Sequence, residues 1–185
     1  MSKIEPQEYE LKNGEKLVIR TAVPDDARAL LEYAHVIFAE DLYNVTTPGE
    51  FEKSVEEESK WIQEHYDKPA HLALTAEVSG SLAGLLSFEN GSRKRLQHHG
   101  TLHMSVHPRF RTEGVGTALV QSLIGWAKEN HVIEKVTLEV FVTNEAAIRL
   151  YGKMGFLEEG RRVRHVKIAD GKYVDVIVMY VFVKD

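Results

Sequence analysis

The chain has 185 residues, 23 Lys and Arg against 28 Asp and Glu, and no cysteine. That length suits one domain able to bury about two-thirds of its unfolded surface, and the missing thiols exclude disulfides, thiolate metal sites and a cysteine nucleophile. A net charge of −5 argues against a broad nucleic-acid surface, and the longest apolar stretch, residues 176–183, is too short to span a bilayer as a helix.

Residues 1–10 are polar and acidic, with no basic segment before an apolar core, so a signal peptide is not expected and a cytoplasmic location is. A strand is expected at 16–22, where Leu17 and Ile19 alternate with Val18 and Arg20. Pro24-Asp25-Asp26 then marks a helix start, and Ala27, Leu30, Leu31, Ala34, Ile37 and Phe38 follow at helical spacing. Thr46-Thr47-Pro48-Gly49 breaks the chain before a second helix at 51–66, which carries Val55, Trp61 and Ile62 among glutamates. The run Glu56-Glu57-Glu58 reads as a solvated helix face.

Strands at 70–78 and 82–90 are joined by Ser79-Gly80-Ser81, a hairpin turn by composition. A polar loop covers 91–100, with a strand at 101–106, a helix at 117–130 and a strand at 135–142 behind it. Asn144 caps a further helix, and Asp170-Gly171 hinges two final strands at 157–168 and 173–183. No repeat or linker interrupts this order, so a mixed α/β sheet in one domain is expected. Residues 16–185 form that domain in this reading, with 1–15 as an extension ahead of it.

Arg111-Thr112-Glu113-Gly114-Val115-Gly116 stands between the strand at 101–106 and the helix behind it. Two glycines let backbone N–H groups approach a ligand closely, and a helix start supplies unpaired donors and the positive dipole end. Such a turn cradles phosphate. A dinucleotide fingerprint wants a third glycine, where Leu119 stands, and a P-loop wants Gly-Lys-Ser/Thr, where Gly116 is followed by Thr117-Ala118. On these residues alone a purely structural glycine turn stays open.

Residues 106–119, from Val106-His107-Pro108 through the glycine turn to Leu119, resemble motif A of the GNAT family of N-acetyltransferases, Arg/Gln-x-x-Gly-x-Gly/Ala. Leu138-Glu139-Val140, then Asn144, Ala147, Leu150, Tyr151 and Lys153-Met154-Gly155-Phe156, resemble motif B, most of all in the ribosomal-protein alanine acetyltransferase branch. The likeness covers residues 16–183. It implies a single α+β domain whose mixed, mostly antiparallel sheet has about seven strands flanked by about four helices.

The resemblance also implies that acetyl-CoA is the co-substrate, with no metal. The backbone of Arg111, Thr112, Glu113, Gly114, Val115 and Gly116 would wrap the pyrophosphate, with Thr117 adding a hydroxyl. Met104, Ser105 and Val106 would pair with the pantetheine arm and stabilise the thioester oxygen. Asn144 would touch the coenzyme, Tyr151 would protonate the leaving thiolate and Glu139 would act as base. Three plainer roles stand beside these: Glu139 as a strand-end carboxylate, Tyr151 as core packing and Asn144 as a helix cap only. Phe156 reads as core.

The implied reaction is direct attack by a primary amine, on a small molecule or a peptide N-terminus, through a tetrahedral intermediate. A non-catalytic acyl-CoA-binding module is the alternative. Glu40, Asp41 and Tyr43, with Tyr173 in the last hairpin, are candidates to meet a cationic amine. His99, His103 and His107 recur every four residues but read as strand and strand-exit residues, with His103 toward the substrate, and not as a metal site; one of them is an alternative to Glu139 as the base. No nucleic-acid or membrane partner is expected, and the apolar final strand offers a homodimer contact.

Overall fold

Alternation along the strands decides which side of the sheet each helix occupies. A computed structural model gives the fold and describes residues 2–40 and 43–184. In β3 (Leu72–Val78) and β4 (Ser81–Asn90), Leu72, Leu74, Ala76, Leu86 and Phe88 enter the main core, while Ala73 and Leu85 enter a smaller cluster. Successive side chains of a strand point to opposite faces, so the two clusters lie on opposite sides of the same sheet.

Helix α1 (Ala27–Ala39) and helix α2 (Val55–Asp67) cover the smaller cluster with Ala27, Leu30 and Ile62. Helix α3 (Val115–Glu129) packs Val115, Leu119 and Leu123 into the main core, and α4 (Glu145–Lys153) adds Tyr151. The remaining strands are β1 (Gln7–Glu10), β2 (Lys16–Thr21), β5 (His99–Val106), β6 (Lys135–Phe141), β7 (Leu157–Ala169) and β8 (Lys172–Phe182). Their order is β1-β2-β3-β4-β5-β6-β8-β7, antiparallel throughout except between β5 and β6.

Three features differ from the sequence expectation. Residues 7–10, read as extension, pair with β2 and give the sheet an eighth strand. Helix α3 starts at Val115, two residues before the expected start, because Gly114 takes φ +115° and turns the chain directly into the helix. The glutamate run is not wholly solvated: Glu58 is buried and paired with Lys53 at 3.0 Å, while Glu57 closes a capping box with Ser54. Among the described residues no helix is long and apolar enough to cross a membrane.

Candidate active site

The parallel pair inside the sheet, β5 and β6, separates almost at once. His99–Thr101 pair with Lys135–Thr137, and beyond them each strand keeps only its outer neighbour, β4 for β5 and β8 for β6. The inner edge of β5 from Leu102 to Val106 therefore presents backbone donors and acceptors with no strand partner among the described residues. An open edge of this kind accepts an extended ligand as if it were a strand.

The start of α3 faces the same part of the fold. Its cap residue, Gly114, has no side chain to satisfy the first amides, and the first intrahelical bond runs from Ala118 N–H to Gly114 O at 3.0 Å. The N–H groups of Val115, Gly116 and Thr117 are thus uncapped, which is the arrangement an anion needs. Lys12, in the turn between β1 and β2, fixes the loop from behind. Its N–H donates to Glu113 O at 3.1 Å and its Nζ to Thr112 O at 2.5 Å, occupying the carbonyls of a segment in which Thr112 takes φ +68°. No motif marked Lys12, since this contact joins residues 100 apart in sequence.

Two glycines set how closely α3 seats. A Cβ on Gly84 of β4 would stand 2.9 Å from Leu119 Cδ1, and one on Gly116 would stand 3.0 Å from Leu150 Cδ1 and 3.4 Å from Met104 Cε. Gly116 is therefore where β5, α3 and α4 converge. Met104 and Val106 lie on the α3 side of β5, and Ser105 lies on the other, where its Oγ is 2.9 Å from Tyr33 Oη of α1. Burial pushes the Tyr33 phenol well above its usual range, against the opposing pull of the Ser105 bond and the Arg111 charge.

The Arg111 side chain is fully engaged. Its Nε donates to Val106 O at 3.1 Å and its guanidinium pairs with both carboxylate oxygens of Glu40, at the end of α1. Glu40, expected to meet an amine, has its charge opposed by this arginine. Asp41, named with it, lies outside the described residues; Tyr43 is exposed, and Tyr173 lies under the Arg164 guanidinium at 4.5 Å.

Tyr151 is buried against the Phe156 ring, and burial alone pushes its phenol up to about 12. No hydrogen bond or neighbouring charge contributes to that shift. A polar group kept in that condition is available to a ligand. Asn144 accepts from Ala147 N–H at 3.2 Å, so the capping role is met through its side-chain oxygen. Phe156 is core.

Glu139 sits apart from Tyr151. Leu138 and Val140 enter the main core, so Glu139 projects from the opposite face of β6, the face on which Thr137 meets Thr101 at 3.3 Å. Its carboxylate is exposed and paired with Arg162 of β7 at 2.8 Å. The site thus has two sides, with Tyr151 and the α3 start on one and Ser105, Tyr33 and Glu139 on the other. His103 is exposed on β5, and His107 uses Nδ1 to accept from Arg109 N–H at 3.2 Å at the strand exit.

A family model described as the acetyltransferase (GNAT) family matches residues 37–156. An L-amino acid N-acetyltransferase from Escherichia coli is 30% identical over 119 residues, 64% of this chain and 73% of that protein. The crystal structure of a GNAT-family acetyltransferase from Streptococcus pneumoniae superposes with a TM-score of 0.87 at 29% identity, covering 90% of this chain and 99% of the other. A Salmonella typhimurium protein solved with acetyl-CoA as its cofactor has the same fold, with a TM-score of 0.80 at 19% identity and coverage of 91% and 95%. The ribosomal-protein alanine branch is one neighbour among these, represented by an enzyme from Brucella melitensis with a TM-score of 0.75 at 24% identity and coverage of 89% and 98%.

Proposed function

The chain belongs to the acetyltransferase (GNAT) family, and from that membership we propose that it is an acetyl-CoA-dependent N-acetyltransferase acting on a primary amine of a small molecule or a peptide N-terminus. The observation that carries this reading is the open edge of β5 running beside three uncapped amides at the start of α3. Together they suit a ligand that is extended at one end and anionic at the other. A glycine turn kept only for its shape accounts for the second feature and not the first.

Each residue then has a defined task. The amides of Val115, Gly116 and Thr117 bind the pyrophosphate oxygens, and the β5 edge at Met104, Ser105 and Val106 holds the amide-rich pantetheine arm. Arg111 contributes its backbone to the cradle, while its side chain ties β5 to α1. The amine nitrogen attacks the thioester carbonyl carbon, the carbon–sulfur bond breaks as the intermediate collapses, and the thiolate takes the Tyr151 proton. Glu139 receives the amine proton, through water, from the acceptor side of the sheet. The absence of cysteine fits direct attack without an acyl-enzyme on sulfur.

The test is release of coenzyme A thiol from acetyl-CoA across a panel of amino acids, polyamines, aminoglycosides and peptide N-termini. Turnover with at least one amine is expected. Tight coenzyme binding with no turnover on any amine would leave the acyl-CoA-binding module as the better account.

A further inference from the structure

Away from this cleft, at the end of α2, three potential ligand atoms converge. His65 of α2, His71 just before β3 and Glu89 of β4 place their ligand atoms within 4.8 Å of one another. His65 Nδ1 lies 2.9 Å from the carbonyl oxygen of Trp61. A carbonyl can only accept, so Nδ1 carries a proton, and Nε2 is the ring atom left to face Glu89 and His71. That nitrogen is buried without a hydrogen-bond partner, as is Nδ1 of His71. Glu89 Oε1 is 3.1 Å from His65 Nε2 but outside bonding geometry.

We propose that His65, His71 and Glu89 bind a divalent transition-metal ion, zinc by its preference for two imidazoles and a carboxylate, which pins the end of α2 to the sheet. Buried ring nitrogens left without a hydrogen-bond partner are unfavourable, and a cation bound by both removes that penalty. The Trp61 carbonyl supplies the outer hydrogen bond that commonly sets the tautomer of a metal-bound histidine. Ligand atoms around a tetrahedral zinc stand about 3.4 Å apart. The His65–Glu89 separation is already near that distance. Glu89 is half exposed, with side-chain accessibility of 50%, so an ion has a path in and the carboxylate has room to close on it; water completes the shell.

The sequence suggested no metal, because the ligands are spread over residues 65, 71 and 89, while the repeating histidines stand at 99, 103 and 107. Among the described residues, those three do not form a cluster with ligand atoms in reach of one another.

The experiment uses the full-length, tag-free chain, stripped with chelator and titrated calorimetrically with zinc chloride and then with cobalt chloride. One equivalent is expected, with a cobalt visible spectrum of a low-coordinate nitrogen and oxygen site and a rise in Tm on zinc addition. His71→Gln and Glu89→Gln should each weaken binding at least tenfold, while their Tm in chelator stays within a few degrees of the parent. His165→Gln, on the far edge strand, should bind as the parent does. Absence of stoichiometric binding, or binding that survives both substitutions and so belongs to other histidines, would overturn the proposal. Neither result bears on acetyl transfer, which is read by a separate assay.

Discussion

The Arg111 guanidinium and the Glu40 carboxylate form a two-pronged pair that joins the glycine turn to the end of α1. Both partners keep partial exposure, 39% and 26% of their side chains, so the pair is screened and its worth is modest. A double-mutant cycle with Arg111→Ala and Glu40→Gln should give a coupling of about 0.5–1.5 kcal/mol in denaturant unfolding. The same variants should raise KM for acetyl-CoA more than they lower kcat, since the loop loosens without touching the reacting atoms. Additive stabilities would mean that the two side chains do not act as a clasp.

At the α3 start the two glycines should respond differently to alanine. Gly114→Ala puts a side chain at φ +115° and should cost about 1–3 kcal/mol, read as a lower urea midpoint. Gly116→Ala gains helix propensity of about 0.5–1 kcal/mol but drives a methyl group against Leu150 and Met104. Its Tm should change little while KM for acetyl-CoA rises several-fold, because α4 and β5 must part to admit the methyl. An unchanged KM would separate Gly116 from the coenzyme site.

Tyr151 should stay protonated through the working pH range, as its phenol is pushed up to about 12 by burial. Tyr151→Phe is expected to lower kcat by about 10²–10⁴-fold, and the parent should show no loss of rate below pH 10 that traces to this residue. The stability consequence has a fixed sign. A raised phenol keeps its neutral form in the fold, so its contribution is complete below the unfolded value near ~10 and is lost as pH rises toward about 12. Tyr33 is shifted in the same direction. Urea midpoints measured from pH 8 to 12 should be flat and then fall above about 10, and Tyr151→Phe should lessen the fall.

If Glu139 takes the amine proton, its loss matters most where the amine is protonated. Glu139→Gln should reduce kcat/KM at least tenfold near pH 7, with the deficit shrinking as pH approaches the amine value of ~10.4. A deficit equal at every pH would assign Glu139 to the Arg162 pair alone.

Local signals carried much of this fold. Alternation at Leu17 to Arg20, the Asp170-Gly171 hinge and the Asn144 cap each act within a few residues, and the elements they announce are present. The glycine turn was legible for the same reason. What the sequence withheld depends on distant partners: β1 is a strand because it pairs with β2, Arg111 is held by Glu40, and Lys12 orders the loop from across the sheet. The separation of β5 from β6 is a property of two strands jointly, so neither strand announces it. Glu139 and Tyr151 were both named, but their placement on opposite faces follows from sheet and helix packing that no motif spells out.

The most direct test of the central claim is backbone amide NMR of the isotopically labelled chain during titration with coenzyme A. The account predicts saturable shifts concentrated at Glu113 to Thr117 and along Leu102 to Val106, the uncapped helix start and the open strand edge. Saturable shifts that leave both segments untouched, or no binding at all, would contradict it.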